Sequence, residues 1–275
     1  MAGHIIYLFL SNLKKYEIKN VAFPFKIDET SIILDVERKD KVKEIVEENK
    51  PNIIINCVGL LNKACDDNPV RAEYINAFFP HYLSELAKNI SAKVIHLSTD
   101  CVFSGSKGSY VETDIKDGKD CYSKTKSSGE LINDQDLTFR SSIIGPELNP
   151  NGIGLFNWFM NQKGTVQGYS EVYWTGVTTL EMARAIDAAL DQDLKGLYHL
   201  VPSSKISKHD LLKLIKKIWN RTDVEIKEYR DKKSDKSLIN TRKDFDFKIN
   251  DYEMMLVRLF EWTQKYKELY ENRYL

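Results

Sequence analysis

An excess charge of either sign is missing from this 275-residue chain: 40 Lys and Arg balance 40 Asp and Glu, so the formal net charge is zero. No global field draws such a protein to nucleic acid or to an anionic membrane. Long apolar runs are missing too. The longest, IIYLFL at 5–10, is about a third of what a bilayer crossing requires. It has no basic leader and no small-residue cleavage site, which argues against a secretory signal. Cysteine is sparse: Cys57, Cys65, Cys101 and Cys121 form no C-x-x-C pair, and no His stands at zinc-ligand spacing from them. They read as reduced thiols of a cytoplasmic protein with no metal site. The five His are scattered, and His96, inside an apolar run, reads as a core residue. Glycine is scarce at the start, where Gly3 is the only one before Gly59.

What remains is ordinary globular usage, 42% apolar and 29% charged, in a chain long enough for one large domain with a smaller lobe. Short apolar runs at 20–25, 31–36, 52–59, 93–100, 137–142 and 197–201 read as strands. Between them, 38–49, 69–89, 121–133 and 178–192 carry apolar residues at three- and four-residue spacing and read as helices. This alternation predicts an α/β, doubly wound (Rossmann-like) parallel sheet over 1–144 plus 176–201. Segments 145–175 and 202–275 form a smaller C-terminal lobe over the strand ends, where ligands bind in such folds. The charged run KEYRDKKSDKS at 227–237 reads as an exposed loop.

The chemistry concentrates between 98 and 130. HLSTD places Ser98, Thr99 and Asp100 at the carboxyl end of a buried strand. Tyr122 follows in CYSKTK, with Lys126 one helical turn later on the same face. A Tyr-x-x-x-Lys match alone is weak. With 14 Tyr it should arise by chance about once or twice, and it occurs a second time at Tyr229 and Lys233. A lysine cation beside a phenol favours the phenolate and is expected to lower the Tyr122 pKa, fitting it for general acid work. If a ketone is reduced, the phenol protonates the developing alkoxide while Thr99 stabilises the charge.

STDCVFSGSKGSYVETD followed by YSKTKSSGE resembles the extended short-chain dehydrogenase/reductases, in particular the dTDP-4-dehydrorhamnose reductase-like branch. Ser98, Thr99, Asp100, Val102, Phe103, Gly105, Gly108, Tyr110, Glu112, Tyr122, Lys126, Gly129 and Glu130 match in order. The likeness continues through INCVG, the YIN of 74–76, FRSSIIGP and TGVTTLEMARAI. It implies NAD(P)H-dependent reduction of the 4-keto group of a nucleotide-activated 6-deoxyhexose in surface polysaccharide synthesis. Tyr122 is then the catalytic acid, Lys126 holds the nicotinamide ribose, and Thr99 and Asp100 lie at the sugar. Gly3, Asp35, Val36, Cys57, Val58, Gly59 and Ser98 fall at positions along NADPH or NADH. The partner implied is a nucleotide sugar, with neither nucleic acid nor membrane, and a homodimer is compatible with the likeness.

The chain departs from that pattern at its start. A sheet of this class opens with a strand and a glycine-rich turn that holds the pyrophosphate. Here MAGHIIYLFLSNLKK reads as the helix after such a turn, with Gly3 matching its last glycine. The expectation is an N-terminally incomplete dinucleotide-binding domain and weakened cofactor binding, unless IIYLFL is itself a strand. Arg140, Ser141, Ser142 and Ile143 replace an Arg-Thr-Ser-Trp run, which leaves the particular sugar open. Trp158 and Trp174 are candidates for stacking on a base or sugar, or for the core. A non-catalytic nucleotide-binding or regulatory subunit and a sugar-nucleotide epimerase are the competing functions.

Overall fold

The computed structural model describes residues 1–275. In chain order it contains α1 (Ala2–Leu13), β1 (Val21–Ala22), β2 (Ile32–Ile33), α2 (Lys39–Asn49), β3 (Ile53–Asn56), α3 (Lys63–Asp67) and α4 (Pro69–Ala72). A π-helical segment, Glu73–Phe78, leads into α5 (Phe79–Asn89) and β4 (Lys93–Ser98). Then come α6 (Cys121–Ser128), β5 (Leu137–Arg140), β6 (Ser142–Ile144), α7 (Leu155–Met160), β7 (Gly164–Tyr169), β8 (Val172–Trp174) and β9 (Gly176–Thr178). The chain closes with α8 (Thr179–Asp191), β10 (Gly196–His199), β11 (Ile206–Ser207), α9 (Lys208–Ile218), β12 (Val224–Tyr229), β13 (Ser234–Asp235) and α10 (Tyr252–Lys265).

The central sheet has the order β10-β5-β4-β3 and is parallel throughout. Parallel strands are buried on both faces, and β4 shows why the run KVIHLS is apolar on each. Successive residues alternate between two cores: Ile95 packs in the larger cluster with Ile5, Ile6, Phe139 and Ile186, and Val94 in a second one with Leu34, Val42, Phe79 and Leu86. Helices α1 and α8 thus cover one face, α2 and α5 the other. Side-chain caps fix the starts of several helices. Asp120 accepts from the Ser123 amide (2.7 Å), Thr178 from Glu181 (3.2 Å) and Asp251 from Met254 (2.8 Å).

The apolar opening run is helical, not a strand. Ala2, Ile5, Ile6 and Leu10 are buried, a helical period that lays one stripe of α1 on α8. The strands expected at 20–25 and 31–36 shrink to two residues each. They pair only with each other, Val21 with Ile32 and Ala22 with Ile33, in a ladder separate from the central sheet, of which β3 is an edge. The helix expected over 121–133 stops at Ser128. A Cβ on Gly129 would lie 1.9 Å from the Asn76 carbonyl oxygen, so the backbones touch here and only glycine fits.

Segments 145–175 and 202–275 pair largely among themselves, β12 with β7 over six residues and β8 with both β11 and β13. The run at 227–237 is therefore not simply an exposed loop. Tyr229 ends β12, and Ser234 and Asp235 pair with Val172 and Tyr173. Tyr229 and Lys233 thus share no helical face. One continuous core joins this lobe to the sheet, running from Leu137 and Phe139 to Leu211, Trp219 and Leu259.

Candidate active site

Strand β4 delivers Ser98, Thr99 and Asp100 at its carboxyl end, and a 3₁₀ turn over Asp100–Val102 begins there. Thr99 caps that turn: its Oγ1 accepts from the Cys101 amide (3.1 Å) and donates to Asp100 Oδ1 (3.2 Å). The same Oδ1 accepts from Ser142 Oγ (2.9 Å), which ties β6 to the site. Gly118 returns the chain toward α6 by donating its amide to the Val102 carbonyl (2.9 Å). Tyr122 and Lys126 then lie on α6 beside the end of β4.

The phenol and the ammonium differ from expectation in their relation. Burial pushes the Tyr122 phenol above its ordinary value, Cys101 and Asp100 add to the push, and the nearby Thr99 hydroxyl partly offsets it. Lys126, which titrates at about 8, has lost its proton before the phenol titrates and so does not lower it; its Nζ donates to the Leu97 carbonyl at 2.7 Å and lies 3.3 Å from His96 Nε2. Burial lowers Lys126 itself to about 8, against the pull of Glu130 and of the Cys57 and Cys65 sulfurs. His96 is held neutral, first by burial and then by the Lys126 charge. Its Nδ1 lies 3.1 Å from the Asn56 amide nitrogen.

Ser98 turns away from the cleft. Its hydroxyl donates to Glu130 Oε1 (2.7 Å), which with Oε2 also receives Arg140 (2.8 and 2.7 Å) and Lys116 (3.1 Å). Arg140 in turn reaches His199 Nε2 at 2.8 Å. Burial pushes the Glu130 carboxyl up, but Arg140, Ser98 and Lys116 together hold it below the usual carboxylate range.

The positions matched to the dinucleotide line the ends of β2, β3 and α1. Gly3 faces Cys57 across 3.5 Å as a Cβ would be placed, an ordinary contact. Asp35 Oδ1 accepts from the Glu37 amide (3.1 Å), and the Val36 carbonyl accepts from the Tyr74 hydroxyl (3.1 Å). Val58 donates its amide to Asn56 Oδ1 (3.1 Å) and is exposed. A Cβ on Gly59 would meet Asn76 Oδ1 at 3.4 Å. Burial pushes the Cys57 thiol up to about 12, so it is neutral. No side chain caps α1, whose first turn stands against Cys57. An α1 first turn without a side-chain cap and the Lys126 ammonium are donors of the kind that the phosphates and ribose of a nicotinamide dinucleotide take, with the Glu147 carboxylate near the same helix end.

Three residues at the site were not singled out from the sequence. Asn76, fully buried in the π-helical segment, bonds both backbone groups of Leu60 (2.8 and 3.0 Å) and Thr125 Oγ1 (3.2 Å), holding the 57–60 loop to α6. The YIN match held the only hint of it. Ser142 was visible only as part of the FRSSIIGP likeness, where it stands at the serine of the Arg-Thr-Ser-Trp run. Lys208, at the start of α9, is one of many lysines in the sequence. Trp174 is buried, whereas Trp158 is partly exposed.

Residues 10–272 match the family described as the RmlD substrate binding domain. The chain belongs to this family. The dTDP-4-dehydrorhamnose reductase of Aggregatibacter actinomycetemcomitans is 38% identical over 101 residues, 36% of this chain and 34% of that one. That of Escherichia coli K12 is 29% identical over 203 residues, 70% of this chain and 68% of that one. The chain thus spans about a third of the first relative and two-thirds of the second. The solved dTDP-4-dehydrorhamnose reductase of Bacillus anthracis, in complex with NADP, superposes with a TM-score of 0.73 at 19% identity, over 85% of this chain and 89% of that one. RmlD-family membership and this superposition agree on a Rossmann-like α/β fold. No helix is long and apolar enough to cross a membrane, and no group of three or more His, Cys, Asp or Glu is placed to hold a metal ion.

Proposed function

We propose that the protein reduces the 4-keto group of a nucleotide-activated 6-deoxyhexose, using NADPH or NADH, in surface polysaccharide synthesis. The observation that carries this reading is the meeting of Thr99 and Tyr122 at the carboxyl end of β4, with Lys126 one turn further along α6. The named activities of the relatives and the NADP bound to the Bacillus anthracis protein support it.

When bound, the nicotinamide cofactor supplies the hydride. The chain's own residues manage the proton and the charge. The Tyr122 phenol is protonated at neutral pH, as any phenol near or above its ordinary value is, and Tyr122 gives that proton to the carbonyl oxygen of the sugar; its upward push works against this transfer and would have to be relieved when substrate and cofactor bind. Thr99, whose single hydroxyl proton lies on Asp100 Oδ1 in the free protein, would turn it to the same oxygen, and the buried surroundings strengthen this bond. Lys126, with Leu97 and His96 taking part of its donor capacity, would hold the ribose hydroxyls with the remainder, and Asp100 with Ser142 would orient the sugar.

Loss of nicotinamide fluorescence, followed with a panel of 4-keto sugar nucleotides, tests the activity. Tyr122→Phe should lower turnover by about 10²- to 10⁴-fold while sugar-nucleotide affinity holds; full turnover in that variant would remove Tyr122 from the role of acid. The separation of β1–β2 from the central sheet favours a second reading, a nucleotide-binding subunit without catalysis. NADPH binding with no turnover across the panel would select it.

A further inference from the structure

One cation at the cleft has no counterpart in the protein. Lys205 and Lys208 both lie over aromatic rings from β8, at 4.2 Å from the Tyr173 centroid and 4.9 Å from that of Trp174. Alternation along the strand sends these two rings to opposite faces. Lys205 is also paired, its Nζ 2.6 Å from Asp235 Oδ2. The Lys208 ammonium has no carboxylate oxygen within 4.0 Å and no hydrogen-bond acceptor. It is deep in the structure, and burial lowers it to about 8 against the pull of Asp100 and Cys101. The residue is part-buried and still meets solvent.

A chain of contacts leads from Lys208 to the reacting residues. The Trp174 ring lies on the bare backbone of Gly176, where a Cβ would come within 2.0 Å of Cζ2. Gly176 pairs with Ser142 across the β6–β9 ladder, and Ser142 donates to Asp100 at 2.9 Å. Asp100 pulls on Lys208 without forming an ion pair, since no carboxylate oxygen lies within 4.0 Å of the ammonium, and its Oδ1 takes the hydroxyls of Thr99 and Ser142. Lys208 is also the first residue of α9, so the positive end of that helix adds to its field. Three N–H donors on a part-buried cation are best satisfied by an anionic oxygen, and no carboxylate oxygen of the protein lies within 4.0 Å to supply one.

We propose that Lys208 is a specificity-determining residue that holds an anionic oxygen of the nucleotide sugar, from its diphosphate or from a sugar carboxylate, on the Trp174 side of Asp100. The proposal rests on the sugar-nucleotide reading given above. A sugar nucleotide reaching Thr99 and Tyr122 would pass this cation, and the ring beneath it limits the approach to one side.

Titration calorimetry of the full chain with UDP, dTDP and UDP-glucuronate tests it. Lys208→Met keeps the aliphatic stem on Trp174 and removes the charge. Lys208→Arg restores a cation, and Lys232→Met removes an exposed lysine from another ring, that of Tyr169. The expected result is a loss of about 10- to 100-fold in affinity for Lys208→Met, recovery with Arg, and no change for Lys232→Met. Loss with all three ligands assigns the diphosphate; loss with UDP-glucuronate alone assigns the carboxylate. Wild-type protein that binds none of them, or equal affinities in wild type and Lys208→Met, overturns the proposal. Failure of the functional reading shows differently, as Lys208-dependent binding without oxidation of NAD(P)H by any 4-keto sugar nucleotide.

Discussion

The carboxyl end of β4 and the ladder β1–β2 lie in the same N-terminal half of the chain, yet they are built differently. At the end of β4 nearly every polar group has a partner inside the protein: Ser98, Arg140 and Lys116 meet on Glu130, and Lys126 is held by Leu97 and His96. In β1–β2 two residues pair with two, and Val21, Phe23, Phe25 and Ile33 are exposed. The difference shows where the fold is over-determined and where it is not. Buried charge demands complete pairing, so removing one partner there is costly, while an exposed ladder has little to lose.

The largest effect is expected at Glu130. Glu130→Ala leaves Arg140, 1% exposed, without its carboxylate, and breaking a buried pair on one side costs about 3–5 kcal/mol. The midpoint of urea unfolding should fall accordingly with an unchanged slope. A drop of under 1 kcal/mol (roughly the surface-pair scale) would mean that the Arg140–Glu130 network is solvated in solution.

Lys126 sharpens the comparison because it sits in the well-paired region and still opposes folding. Its folded pKa, about 8, lies below the ordinary lysine value of 10.5. Between those values the unfolded chain binds more protons, so this residue's contribution to stability rises with pH from about 8 to 10.5. Below pH 8 its penalty is fully present, on the order of 3 kcal/mol. Lys126→Met should therefore be more stable than wild type at pH 7, and the gap should narrow toward pH 10.5 in paired denaturant titrations. Activity should fall in the same variant. A gap independent of pH would assign the gain to packing.

Much of this contrast was legible in the sequence, for physical reasons that differ by residue. The ordered array from Ser98 to Glu130 is dense because a strand end, a tight turn and a helix must converge, and each fixes residue types at fixed spacing. Strands β3, β4, β5 and β10 showed as apolar runs because both of their faces are buried. The runs at 20–25 and 31–36 carry the same signal, but strand length depends on pairing partners that composition does not reveal. The inward turn of Lys126 was also hidden. It depends on a neutral His96 from a neighbouring strand, and Tyr-x-x-x-Lys spacing says nothing about that neighbour. Lys208 was lost among the lysines, since what sets it apart is the absence of a partner.

The smallest effect belongs to the ladder. Phe25 is 72% exposed and outside all three core clusters, so Phe25→Ser should change stability by no more than about 0.5 kcal/mol. Phe139, fully buried beside Tyr198 and Phe245, supplies the reference; Phe139→Ala should cost about 3–5 kcal/mol. Amide hydrogen exchange offers a reading without mutation. Two of the bonds that hold β1 to β2, Ile32 to Asn20 and Leu34 to Ala22, should exchange through local opening, and the β4 amides only near the global limit. Equal protection of Leu34 and Ile95 would show that β1–β2 opens only with the central sheet and would erase the distinction between the two regions.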